Sequence, residues 1–156
     1  MRKLWTVVLA LALSLTACAG GGQNDAPPLY NLQHVEKIDG AGAFSEELEK
    51  LDSETAFALY QLSGADLTQE DLKQCAVLRS AGATCEEAAV LVFSDAEQAK
   101  RAAEALNGYL QDQIDANTDY RPAEIPKLEA ALVDQRGESV LLVVANDLEA
   151  AKDAVA

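Results

Sequence analysis

The chain has 156 residues, with 26 acidic and 12 basic side chains and a formal net charge of −14. A surface this acidic repels phosphates and anionic lipid headgroups, which argues against nucleic-acid binding. The chain has a single histidine, His34, which argues against a histidine-based hydrolase or a histidine-rich zinc site. No glycine-rich phosphate-binding motif occurs, so we predict a protein that is not an enzyme and holds no cofactor or metal.

Residues 1–17 have the layout of a secretory signal. Two basic residues precede an apolar run from Leu4 to Leu15, which is too short to span a membrane. The sequence Leu-Thr-Ala-Cys that follows resembles the bacterial lipobox. The resemblance implies cleavage between Ala17 and Cys18 and attachment of a diacylglyceryl group to the Cys18 thiol. We therefore predict a lipoprotein anchored by its acyl chains at the extracytoplasmic face of the cell membrane. The alternative is an ordinary signal peptide followed by an unrelated cysteine.

Residues 18–42 are predicted to be a flexible tether. They are rich in Gly, Pro, Asn and Ala and show little periodicity. A flexible chain of this length reaches roughly 25–30 Å, which would hold a domain close to the membrane. Residues 43–156 then form a single domain that is long enough to bury a core.

Three segments precede the first predicted strand. Residues 44–51 place Phe44, Leu48 and Leu51 at helical spacing, which predicts a short amphipathic helix. Residues 55–62 are apolar and fit either a strand or a helix. Residues 67–74 are predicted to form a second short helix, which begins at a capping box.

Residues 75–80 and 88–93 are predicted strands, the second a continuous apolar run. The longest helix begins after them at a capping box formed by Ser94 to Glu97. Its exposed face offers i, i+4 ion pairs, Glu97 with Arg101 and Lys100 with Glu104. Its apolar positions are spaced by three and four residues: Ala99, Ala103, Leu106, Leu110 and Ile114.

Residues 130–135 and 138–145 are predicted to form a hairpin in which Gly137 supplies a positive φ. Asn146 then caps a last helix. The order ββαββα predicts an α+β domain: two layers, a four-stranded, mostly antiparallel sheet with helices packed on it, preceded by short N-terminal helices. Because residues 88–93 and 140–145 are apolar throughout, we expect both faces of the sheet to be covered, for example by the 44–51 helix. The alternative is that one face is a partner surface.

Cys75 and Cys85 are an even pair in a chain predicted to be exported. They form a candidate disulfide across a turn near residues 80–82, or remain two reduced thiols.

The spacing Asp115-x-Asn117-x-Asp119 is that of a calcium loop. Tyr120 stands where the turn glycine should be, and Pro126 stands where the bidentate glutamate should be. We therefore predict no metal there.

The segment from Glu87 to Asp147 resembles an uncharacterised domain of unknown function found in small lipoproteins of Gram-positive, Firmicutes-type bacteria. The resemblance is carried by the Glu87 strand with Asp95 after it, by Tyr120-x-Pro122-x-Glu124, by Lys127-Leu128-Glu129 and by Gly137. It implies a place in the cell envelope and no activity. We expect these residues to be structural, with Tyr120 and Pro122 turning the chain after the long helix. The alternative is that Tyr120, Pro122 and Lys127 line a ligand surface.

The sequence therefore favours a non-enzymatic interaction module at the cell envelope. Its contacts would be the membrane, through the lipid anchor, and an envelope protein. The alternative is a lipoprotein that binds a small ligand or an ion, which the acidic surface and the 112–124 loop suggest.

Overall fold

The computed structural model describes residues 26–156. The predicted signal peptide, the Ala17–Cys18 cleavage site and the lipidated Cys18 lie outside these residues. The elements in chain order are α1 (Gln33–Gly40), β1 (Glu49–Leu51), α2 (Ser53–Leu59), β2 (Leu72–Arg79), β3 (Glu87–Phe93), α3 (Ala96–Asn117), α4 (Ile125–Glu129), β4 (Leu132–Arg136), β5 (Ser139–Val144) and α5 (Leu148–Asp153). Within this part of the chain, no helix has the length and apolar character needed to cross a bilayer.

The strands form one sheet in the order β1-β2-β3-β5-β4, and every neighbouring pair is antiparallel. The predicted α+β class and the mostly antiparallel sheet are confirmed, but the predicted order ββαββα lacks α4, which follows α3 before β4. The predicted count of four strands is wrong, because β1 pairs with the end of β2, with Leu51 opposite Val77. β1 has only three residues, too few to show an alternating pattern in the sequence.

Helices cover both faces of the sheet. The domain therefore has three layers, and the prediction of two layers is wrong. On one face α2, α3 and α4 contribute to a core with Leu91 and Leu142. On the other face α1 and α5 contribute to a second core with Val90 and Leu141. All four of these strand residues are fully buried. The expectation that both faces are covered within the chain is confirmed, although the 44–51 helix is not the element that covers them.

Residues 30–42 belong to the domain, so this part of the predicted tether is wrong. Val35 and Ile38 of α1 are buried against the second face. The amide of Tyr30 donates a hydrogen bond of 2.8 Å to the hydroxyl of Ser139 in β5. Only two apolar side chains of α1 reach the core, so its sequence pattern is weak and packing decides its structure.

Two predicted helices are absent from the described chain. The 44–51 segment is an extended loop followed by β1, and the side chain of Ser45 is turned to Glu86 instead of capping a helix. In the 67–74 segment, the carboxylate of Asp71 accepts hydrogen bonds from the Thr68 amide and the Thr68 hydroxyl, but the turn leads directly into β2. The ambiguous 55–62 segment is largely helical, as α2.

The caps of α3 and α5 each lie one residue after the predicted position. Asp95 accepts a hydrogen bond from the amide of Gln98, and Asp147 accepts one from the amide of Ala150. In both places an aspartate stands next to the predicted Ser or Asn, and its negative charge is favoured at a helix N-terminus. The hairpin turn at Gly137 is confirmed, with φ of +55°.

Candidate functional site

A buried ion-pair network ties the start of β3 to α4. The carboxylate of Glu86 is fully buried and accepts hydrogen bonds of 2.7 Å each from the Ser45 amide, the Ser45 hydroxyl and Lys127 Nζ. Glu124 accepts from Lys127 at 3.1 Å and from the Cys85 amide at 2.9 Å. Burial lowers the pKa of Lys127, but its hydrogen bonds to the two carboxylates outweigh burial and raise it overall. Because Lys127 and both carboxylates have partners on different elements, this network fastens the fold together.

The β2–β3 loop is held from two sides. Glu46 Oε1 accepts hydrogen bonds from the hydroxyls of Ser80 (2.6 Å) and Thr84 (2.7 Å), which lower the pKa of Glu46. Arg121 Nη1 donates to the carbonyls of Gly82 (2.7 Å) and Thr84 (3.1 Å). These contacts hold the loop between the 44–51 segment and the turn after α3.

Glu87, the first residue of the family motif, lies in the apolar layer beneath α3. It is 1% exposed, and its Oε2 accepts a 3.2 Å hydrogen bond from the Tyr60 hydroxyl. Arg79 Nε lies 3.6 Å from the same oxygen. Burial raises the pKa of Glu87 to about 7, although Arg79, Tyr60 and Tyr109 act in the opposite direction. Tyr109 packs edge-to-face on Tyr60 with ring centroids 5.1 Å apart.

A cleft of about 520 Å³ lies above these tyrosines, between the turn at residues 60–66 and α3. Tyr60 and Tyr109 line it with the small residues Gly64, Ala65, Ala105 and Gly108. A side chain added at Gly64 or Gly108 would meet no atom within 4 Å at its Cβ, so both glycines leave the cleft open. Tyr109 is 3% exposed, and its buried hydroxyl has no hydrogen-bond partner of ordinary geometry among residues 26–156.

The turn that forms one wall of the cleft is conformationally unusual. Gln61 and Asp66 have φ of +52° and +55°, and in the described part of the chain they are the two non-glycine residues with positive φ. The Gln61 side chain donates a 3.3 Å hydrogen bond across the cleft to Asp112 on α3. A glutamine in this region costs of order 1 kcal/mol or more, and such strain is concentrated at functional sites.

Arg101 lines the opposite wall without a counter-ion. The predicted Glu97–Arg101 and Lys100–Glu104 pairs are not formed within the described residues. Arg101 Nε is instead buried and has no hydrogen-bond partner there. Asp66, Glu104 and Asp112 also line the cleft, so it carries both signs of charge.

The candidate disulfide is not formed: Cys75 and Cys85 are free thiols. Cys75 lies opposite Leu91 in the β2–β3 register, whereas Cys85 precedes β3 by two residues. Six residues therefore separate Cys85 from the position facing Cys75, about 20 Å along an extended chain. A disulfide requires Cα atoms within about 7 Å. Burial raises the pKa of both thiols.

Tyr120 and Pro122 both lie in the turn after α3. Tyr120 is 80% exposed, and the Arg121 guanidinium lies 5.7 Å from its ring centroid. Pro122 begins a short 3₁₀ turn that leads to α4. The side chain that holds the turn is the buried Asn117, which accepts a 2.9 Å hydrogen bond from Arg121 Nε.

Asp115 and Asn117 of the calcium-like spacing lie in the last turn of α3, and Asp119 follows the helix. The Asn117 amide also donates to the carbonyl of Gln113, and Asp115 accepts from Gln111 within the helix. Residues 26–156 contain no group of three or more metal-ligating side chains placed to hold a metal ion.

Sequence reasoning missed the cleft. Gly108 carried the available signal, because a glycine inside a 22-residue helix costs about 1 kcal/mol relative to alanine. Gly108 lies among the small residues that line the cleft, which explains why a glycine stands inside this helix. The residues 60–66 and 101–112 are far apart in the sequence, so the pattern alone could not bring them together.

Comparison with known proteins identified the family. The family model described as Domain of unknown function (DUF4358) matches residues 41–145, about two thirds of the chain. Searches of curated proteins and of solved structures gave no match. The matched range begins just after α1 and ends with β5, so it includes the whole sheet and the cleft. The chain therefore belongs to the DUF4358 family, a domain family of unknown function.

Proposed function

We propose that this protein is a non-enzymatic lipoprotein that binds a small molecule in the cleft between residues 60–66 and α3. The observation that carries the proposal is the cleft itself. Its volume of about 520 Å³ lies within the range of small-molecule sites, roughly 300–1,000 Å³. A buried tyrosine pair on one side and the unpartnered Nε of Arg101 on another give it both an apolar and a polar surface.

The proposed location is the extracytoplasmic face of the membrane, with Cys18 as the lipid-bearing residue. The lipobox-like sequence before Cys18 supports this. Tyr30, the first buried residue of the domain, follows Cys18 by 12 residues, a span of at most about 40 Å even when fully extended. The domain would therefore stay close to the headgroups. Metabolic labelling with a palmitate analogue tests the anchor, and label that persists in Cys18→Ser would contradict it.

A thermal-shift screen of the full-length chain in detergent micelles tests the binding site. The panel comprises amino acids, short peptides, organic acids, nucleosides, sugars and divalent cations at millimolar concentration. Gly108→Leu places a side chain in the open part of the cleft, and Asn107→Leu is the matched control on the exposed surface of α3. We expect at least one class to raise the Tm of wild type and Asn107→Leu but not of Gly108→Leu. A panel without such a class would overturn the proposal.

A second candidate is an interaction module for an envelope protein, favoured by the exposure of Tyr120. An exposed tyrosine combines a large contact area with a polar end, which is typical of interface hot spots. Crosslinking in native membranes followed by mass spectrometry tests it. One dominant partner, lost in both Tyr120→Ser and Cys18→Ser, would favour this candidate over the cleft.

A further inference from the structure

The cleft between residues 60–66 and α3 carries charges that the protein does not neutralise. Arg101, Asp66, Glu104 and Asp112 line one cavity, yet none takes part in an ion pair within residues 26–156. Opposite charges that share a cavity and remain unpaired can be satisfied together by a ligand that bears both signs. The excess of carboxylates favours a ligand with at least one cationic amine.

The charged groups are spread along the cleft. Arg101 and Asp112 lie eleven positions apart on α3, which corresponds to about 16 Å along a helix axis. A ligand that meets both ends is therefore extended. A peptide of about four residues spans about 14 Å, and a single amino acid with a long side chain covers part of the distance.

Apart from Glu104, the surface between Arg101 and Asp112 is apolar. Ala105 and Gly108 lie on α3 between Arg101 and Asp112, and the rings of Tyr60 and Tyr109 line the same cavity. Such a surface accepts methylene groups, whose removal from water is favourable. The arrangement thus matches a carboxylate and an amine joined by an apolar stem.

One buried group on the wall lacks a partner. Arg101 Nε is buried without a hydrogen-bond acceptor in the described chain. Leaving a buried donor unpaired costs stability. A ligand that draws the Arg101 side chain into a bidentate contact with a carboxylate would remove part of that cost.

We propose that the cleft binds a basic amino acid or a short basic peptide, with its carboxylate at Arg101 and an amine at Asp112 or its acidic neighbours. This inference rests on the proposed function, because it names the ligand class of the same site. A molecule with an ammonium group but no carboxylate, or the reverse, satisfies only one end of the cleft.

The test uses the full-length chain in micelles and four probes: L-lysine, trilysine, norleucine and cadaverine. Norleucine lacks the side-chain amine of lysine, and cadaverine lacks its carboxylate. We expect lysine or trilysine at ten times its Kd to raise the Tm by about 4 °C. By calorimetric titration, norleucine and cadaverine should each bind at least about tenfold more weakly, because each loses one charged contact.

Two variants test which residue contacts which charged group of the ligand. In Arg101→Gln, lysine should lose its advantage over cadaverine. In Asp112→Asn, trilysine, which is long enough to reach that end of the cleft, should bind more weakly than it does to the wild type. Gly108→Leu should abolish binding, with Asn107→Leu unchanged. Equal affinities for lysine, norleucine and cadaverine in the wild type would overturn the inference.

The two proposals fail differently. If lysine and trilysine do not bind but another class raises the Tm in a Gly108-dependent way, the ligand class is wrong and the binding site stands. If no probe or panel compound raises the Tm, or every shift persists in Gly108→Leu, both proposals are overturned.

Discussion

Replacing the buried Glu87 by glutamine should remove a pH dependence from the stability of the fold. Glu87 is 1% exposed, and burial raises its pKa from an ordinary value of 4.5 to about 7. Between these pH values the folded chain binds more protons than the unfolded chain does, so the free energy of unfolding falls as the pH rises. The contribution is complete below about pH 4.5 and lost once the pH has risen through about 7.

The size of the effect follows from the two pKa values. At about 1.4 kcal/mol for each pH unit, the difference between 4.5 and about 7 corresponds to about 3 kcal/mol. Roughly 2 to 3 kcal/mol of that loss falls between pH 5 and pH 8. Glutamine has nearly the same shape, stays neutral, and keeps an oxygen that can accept the hydrogen bond from Tyr60.

Urea unfolding of the full-length chain at pH 5, 6, 7 and 8 measures the effect. The stability of wild type relative to Glu87→Gln should fall by roughly 2 to 3 kcal/mol across this range. Glu97→Gln, which changes an exposed carboxylate on α3, serves as the control and should follow the wild type. A constant difference between wild type and Glu87→Gln would mean that the Glu87 carboxylate titrates normally, and would refute the reasoning.

Two further predictions concern the ion-pair network around Lys127 and the oxidation state of the two cysteines. Lys127→Met removes the cation shared by Glu86 and Glu124 and should cost about 3 kcal/mol in urea unfolding at pH 7. The double variant that adds Glu86→Gln should recover part of the stability lost in Lys127→Met. A loss under about 0.5 kcal/mol in Lys127→Met alone would show that the network contributes little to stability. Alkylation of the denatured chain without reductant should add one group to each of Cys75 and Cys85 in the intact mass. Labelling that appears only after reduction would contradict their separation in the sheet.

The sequence predicted best those elements whose pattern is long and set by local chemistry. α3 has 22 residues and begins at an acidic cap, and Gly137 is followed by the continuous apolar strand β5. β1 and α1 were missed because each depends on distant partners. β1 has three residues and pairs with β2, whereas α1 is held by two buried side chains in the second core.

The candidate site was harder to foresee than the fold. Arg101 was assigned to a surface ion pair because Glu97 stands four residues before it, but such pairs contribute only about 0.2–0.5 kcal/mol. The packing of α3 against residues 60–66 outweighs the small energy of such an ion pair, and Arg101 lines the cleft instead. The burial of Glu87 could not be predicted from the sequence either, because its position in a strand gave no sign that its pKa would be raised to about 7.

The second helical layer has a consequence for the order in which the fold can be completed. α1 and α5 lie near opposite ends of the chain but share one face of the sheet. A chain that emerges from a ribosome or a membrane channel with its N-terminus first exposes Val35 and Ile38 long before β5 and α5 follow. Contacts between such distant segments form late and slow the folding reaction. The second face can therefore be completed only after α5 has been delivered, and until then Val35 and Ile38 lack part of the core that buries them.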